Sequence, residues 1–319
     1  MYTRHLPAVL WVCLTSTFPI AAHNGERYTV PRTEHGHPDF QGIWATAFLT
    51  MLERPPGVAN LIATPEEARK LAAAIRANAP AVVDPDFQLQ DIQQLAMVKG
   101  EYRTSHIVDP EDGRLPFTQA GLDLAARVEA RDSKSFDDIE QRPLAERCLE
   151  NMGYAPIRTV PVFLPRQIVQ TRDSVVISSE DSAGVRVIHL GGPEPPAALT
   201  SIGGYSVGHW ENDTLVVVTT HLRADDPARS HAGRPLLLSR RSRIVERFAR
   251  VSPTELFYQF TVEDDDLYAR PWTGEFSMTR HDGPTYEYAC HENNYSLPNI
   301  LRGGQAEAAR LAAEVPAER

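Results

Sequence analysis

From residue 167 to residue 291 the chain repeats one pattern: five to nine residues of mixed apolar and polar character, then a turn. Side chains that alternate every second residue mark a strand with one buried face. Turn signals every 8–12 residues leave room for hairpins and little else. The pattern predicts nine strands, at 167–171, 175–179, 185–190, 205–210, 214–221, 243–251, 255–262, 274–280 and 285–291. Five connections have hairpin chemistry: Arg172-Asp173, 181–184, Asn212-Asp213, Ser252-Pro253 and 281–284. A meander of this length has two open edges, and closing it on itself removes both. The expected fold is therefore mainly β: an antiparallel meander over residues 165–302 closing into a calycin-like up-and-down barrel, with a sandwich as the alternative. A small barrel of that kind can hold one small ligand inside.

The other segments are expected to pack around this barrel. Residues 1–22 read as a signal peptide, with Arg4 and His5 before an apolar run and Ala21-Ala22 at its end. Residues 23–164 should form loops and helices outside the barrel. Residues 23–61 look loop-like around an aromatic island, Phe40-Gln41-Gly42-Ile43-Trp44. Thr64-Pro65-Glu66-Glu67 combines a cap, a proline at the first helical position and a capping box, which predicts a helix over 64–78. A second helix is expected after Thr118, to about Arg131. The connection 224–241 is expected to be a mobile rim loop, and 303–319 a C-terminal helix or tail.

Charge narrows the partners. Forty-two acidic against 32 basic side chains give a net charge of −10, which disfavours nucleic acid. After residue 22 no stretch approaches the ~18 apolar residues of a spanning helix, so export without stable membrane insertion is expected, to the periplasm or beyond. Export would leave two cysteines, Cys148 and Cys290. They suggest one disulfide, with two unrelated buried thiols as the alternative. Neither lies in a nucleophile motif. No G-x-S-x-G elbow, Walker loop or strand-to-helix G-x-G-x-x-G is present, and no cofactor is expected.

Strand parity nominates the chemistry. On 243–251, Glu246 shares the inward face with Ile244 and Phe248. A carboxylate there is costly unless paired, so it is either the partner of an arginine, Arg186 or Arg243, or a buried base. His209 and Glu211 point the same way from one strand, and His291 precedes Glu292. Histidine beside carboxylate suits acid–base work near neutral pH. The alternative role is a divalent metal held by His35, His37, His209 and His291, although their spacing matches no strong signature. Trp210, Tyr258, Tyr286, Tyr288 and Tyr295 either line a pocket or fill the core.

Several stretches resemble a large group of secreted bacterial β-rich proteins. They are His37-Pro-Asp-Phe-Gln-Gly-Ile-Trp44, Arg142-Pro-Leu-Ala-Glu-Arg-Cys148, Gly208-His-Trp-Glu-Asn-Asp-Thr-Leu-Val216, Val245-Glu-Arg-Phe-Ala-Arg-Val251, Phe260-Thr-Val-Glu-Asp264, Arg270-Pro-Trp-Thr273 and Tyr286-Glu-Tyr-Ala-Cys-His-Glu-Asn-Asn-Tyr295. The last continues to Leu297-Pro-Asn-Ile-Leu-Arg302. The resemblance implies one intact domain and transfers no activity. Asn212 stands where the group often has Gly, and His221 where it often has Asn, so His221 is a weaker shared functional residue than His209 or His291.

A Cys148–Cys290 bond would bring Glu146 and Arg147 toward His291 and Glu292, with Asn294 as a ligand-binding candidate beside them. That rim is either a site or a structural clasp. The function these features suggest is an exported barrel enzyme, a lyase, isomerase or hydrolase acting on a small, partly apolar or polyol-like molecule. His209 and His291 would move protons, Glu211 and Glu292 would orient them, Glu246 would be a further base and Arg147 would stabilise negative charge. The alternative is a non-catalytic periplasmic ligand-binding protein using the same aromatics. Oligomeric state is not legible in the sequence.

Overall fold

The computed structural model describes residues 28–78, 92–180, 184–223, 225–292 and 294–314. The segment 1–22 and most of the expected turn at 181–184 lie outside these. Nine strands form a closed ring: β1 (Gly42–Thr46), β2 (Leu164–Gln170), β3 (Ser174–Ser179), β4 (Val185–His189), β5 (Tyr205–Glu211), β6 (Thr214–Thr220), β7 (Arg243–Arg250), β8 (Glu255–Glu263) and β9 (Trp272–His281). Each pairs with the next, and β1 closes the ring by pairing with both β2 and β9. The barrel is mixed rather than wholly antiparallel: β4 and β5 run parallel, joined by the longer connection 190–204.

Two departures from the expected strands have one cause. Residues 285–291 form no strand. Their expected place in the ring is filled by β1, from a segment read as loop. Trp44 is fully buried, and β1 offers one backbone edge to Arg280 and its neighbours and the other to Arg166. With both edges of the meander satisfied by β1, no open edge remains for 285–291. The expected turns Arg172-Asp173, Asn212-Asp213 and Ser252-Pro253 each join an antiparallel pair, whereas 281–284 joins none. Asn212, at φ 55°, occupies the left-handed region that asparagine and glycine tolerate best.

The barrel interior is a packed core, not a calyx. Phe248, Phe260 and Phe276 are at most 1% exposed and touch Tyr258 or Trp272. Each such burial stabilises by about 1.5–3 kcal/mol. Gly274 is required by this packing, since a Cβ there would lie 2.6 Å from the Phe260 ring.

The helices begin where their caps do. Thr64 caps α1 (Pro65–Ala77) in a capping box with Glu67, and Thr118 caps α2 (Gln119–Lys134). The C-terminal helix α3 spans Ser296–Glu314, starting earlier than the expected 303. Helix α1 covers a small cluster of Leu49, Ala68, Ala72 and Leu95 beside a three-stranded sheet (Ile62–Ala63, Met97–Val98, Glu101–Arg103).

The segment expected to be a mobile rim loop is instead a plug. Ala228–Arg229 pairs with Leu236–Leu237, and Leu236, Leu237 and Leu238 are 0–1% exposed. Its backbone is tied on several sides: Leu52 N donates to Ala232 O at 2.9 Å, Ala232 N to Thr159 O at 2.8 Å, and Leu237 N to Tyr268 Oη at 3.2 Å. Three consecutive leucines bury too much apolar surface to stay in water. Among the described residues, no helix is long and apolar enough to cross a membrane.

Candidate functional site

Parity places Glu246 in the barrel interior, and there it is locked. Arg186, on β4, donates to both carboxylate oxygens of Glu246, through Nη1 at 2.9 Å to Oε1 and through Nη2 to Oε2. Tyr258 Oη donates to Oε1 at 2.8 Å and accepts from Ile157 N at 2.7 Å. Arg186 also donates to Ser206 Oγ at 3.1 Å, Thr219 Oγ1 at 3.0 Å and Gly153 O at 3.4 Å. Burial works against the Arg186 charge, but Glu246 outweighs it and raises the arginine's pKa; burial and the same carboxylate push Tyr258 well up. Arg186 is thus the partner, while Arg243 pairs with Glu263 outside. Glu246 and Tyr258 are both 0% exposed, so neither reaches the surface of the protein.

The expected proton carriers are not gathered. His209 Nε2 lies 3.1 Å from Glu211 Oε1, and Glu211 accepts from Arg247 Nη2 at 2.6 Å. Hydrogen bonds from Arg247 first, then His209, hold the Glu211 pKa below its ordinary value. This pair sits in water on the end of β5, with side chains 59% and 45% exposed. Trp210 stacks on His37, with ring centroids 5.2 Å apart. His291 belongs to the opposite end: β5 runs parallel to β4 and past it, whereas the groove around His291 lies where β3 hands over to β4.

That groove, about 360 Å³, is formed by Ser178, Glu180, Tyr286, Tyr288, His291 and Glu292. Cys148 and Cys290 stand at disulfide-bonding distance, Cα–Cα 5.8 Å, and tether it. Asn294 Nδ2 donates to Glu146 O at 2.8 Å and to Cys148 Sγ at 3.3 Å. The expected charge partners turn elsewhere: Glu146 pairs with Arg142 at 2.8 Å, and Arg147 faces Asp226 at 3.6 Å. Tyr286, Tyr288 and Tyr295 are exposed rather than core. The groove is bounded and polar, with its histidine open to water.

A second depression, which sequence parity did not indicate, lies between α1, the loop 49–58 and the plug. Its volume is about 600 Å³ and its walls are mostly apolar, from Leu49, Met51, Val58, Leu71 and Ile75. Among the described residues four arginines, Arg54, Arg76, Arg114 and Arg234, face it with one carboxylate, Glu53. Glu53 is already engaged: it accepts from Leu115 N at 2.8 Å and lies 3.4 Å from Arg234 and 3.7 Å from Arg114.

Behind the Met51–Gly233 wall is a buried histidine pair, His106 Nδ1 and His231 Nε2 at 3.0 Å. His106 N donates to Met51 O at 3.0 Å. Burial drives His106 down to about 3, and burial, with His106 and the arginines Arg158 and Arg166 adding to it, takes His231 well below its usual value. Both rings are thus neutral, one donating to the other. The signal that could have found this pair was weak, since His106 follows an unpatterned stretch and His231 sits in the segment read as a mobile loop.

Among the described residues no three His, Cys, Asp or Glu side chains converge as a metal site, so His35, His37, His209 and His291 do not form one set. Comparison with protein-family models, curated proteins and solved structures finds no match for the chain.

Proposed function

We propose that this protein is an exported small-molecule-binding protein whose ligand seats in the cleft between α1 and the plug. The carrying observation is the lining of that cleft: about 600 Å³ with apolar walls and a few charged groups. That size and mixture are typical of small-molecule pockets. Because side chains fill the barrel interior, the outer cleft offers a ligand the better seat. Export is supported by the leader-like residues 1–22 and by the cysteine pair, since structural disulfides belong to oxidising compartments.

Turnover by acid–base chemistry is the second possibility, favoured by the 3.1 Å contact between His209 and Glu211. Both side chains are open to water, and the His291 groove lies at the other end. Proton transfer gains most in enclosed, preorganised surroundings, so binding fits the geometry better. Loss of turnover on replacing both His209 and His291 by Ala would restore the enzyme reading.

The test is a thermal-shift screen of the purified protein against acids, alcohols, amines, sugars and aromatics, run beside Ala74→Trp. Ala74 is an exposed α1 residue on the cleft, so a tryptophan there fills the cleft at a helix-propensity cost below about 1 kcal/mol. A true ligand at 100 times its Kd stabilises by about 2.7 kcal/mol. One compound class should raise the melting temperature of the wild type and not of the variant. A screen with no active class, or a shift kept in Ala74→Trp, refutes the proposal.

A further inference from the structure

From the charges of the cleft we infer that its ligand is an amphipathic anion, an apolar body ending in a carboxylate, and that Arg54 is its anchor. The inference rests on the cleft being the ligand site. The chain as a whole carries −10, yet among the described residues four arginines line this cleft against one glutamate, a local excess of three positive charges. A concentration of one sign within low-dielectric walls focuses the field on an incoming ion of the other sign.

Arg54 is what makes the cleft more than a basic patch. The residue is only 5% exposed, and among the described residues none of the ion pairs includes it. Its Nη1 donates to Ala59 O at 2.9 Å, while its buried Nε has no partner among the described residues. A guanidinium presents five donors in a planar fork that matches a carboxylate bidentately. Burying that charge without an anion is expensive. A ligand carboxylate would supply the missing counter-charge, with its apolar body against Leu71, Ile75 and Met51. Arg114, 43% exposed, and Arg234 stand where they would draw the anion in.

The experiment is isothermal titration of the full chain with decanoate, 1-decanol and decylamine, which share an apolar tail and differ in head charge. Decanoate should bind at least tenfold more tightly than decanol, and decylamine more weakly than either. Ala74→Trp should abolish decanoate binding, and a folded Arg54→Met should bring the decanoate-to-decanol ratio toward one. Should Arg54→Met fail to fold, the wild-type ratio and Ala74→Trp decide alone. Decanol binding as tightly as decanoate, or decylamine binding best, overturns the anion while leaving the cleft as a ligand site. Decanoate binding undiminished in Ala74→Trp, or the absence of binding by any probe, overturns both.

Discussion

Replacing Arg186 by Met isolates the buried lock of the barrel. The substitution keeps most of the side-chain length and removes the cation paired with Glu246, whose side chain is 0% exposed against 2% for Arg186. Five hydrogen bonds from the guanidinium disappear, and the carboxylate is left with the Tyr258 hydroxyl. Breaking a buried pair by deleting one partner costs about 3–5 kcal/mol, because the remaining charge is stranded. Urea unfolding followed by far-UV circular dichroism reads this directly. With an m-value of about 3 kcal/mol/M, the midpoint falls by about 1 M or more. The paired variant Arg186→Met/Glu246→Leu strands no charge, so it should be more stable than Arg186→Met alone, and the cycle should be strongly non-additive. Additive costs, or a single-variant loss below about 1 kcal/mol, would show that the two charges do not depend on each other and would refute the reasoning.

Two other perturbations have defined outcomes. His106 is held near 3 when folded against about 6.5 when unfolded. The unfolded chain takes up the proton first, so stability is full above pH 6.5 and falls as pH drops from there toward 3. The slope approaches about 1.4 kcal/mol per pH unit for one proton, and in urea titrations His106→Phe should flatten it; an unchanged slope would exclude His106 as its source. The Cys148–Cys290 link spans a sequence separation of 142, for which loop entropy predicts up to ~5 kcal/mol. Replacing both cysteines with Ser should lower the melting temperature, and identical melting curves would mean that the bond adds nothing.

Local chemistry carried much of this fold. Thr64-Pro65-Glu66-Glu67 specified the start of α1 because caps act within four residues. The alternation in 255–262 placed Leu256, Tyr258, Phe260 and Val262 inside because parity is a property of the backbone. Glu246 was visible as an anomaly for the same reason. Parity could not choose between Arg186 and Arg243, since that depends on which side chain enters the barrel from another strand.

What only the tertiary structure decided is non-local. Gly42–Thr46 is too short and too flanked by loop residues to declare itself, yet it closes the ring because it meets two edges at once, β9 and β2. The leucines at 236–238 became a plug because the barrel end offered them a dry surface. His209 and His291, alike in sequence, went to opposite ends because one connection, 190–204, turns β5 parallel to β4. The cleft draws on residues from 49 to 234, which no periodicity relates. Sequence determines which faces must be buried and where the chain must turn; which faces meet is settled by closure of the ring, where every backbone edge and every buried charge must find a partner together.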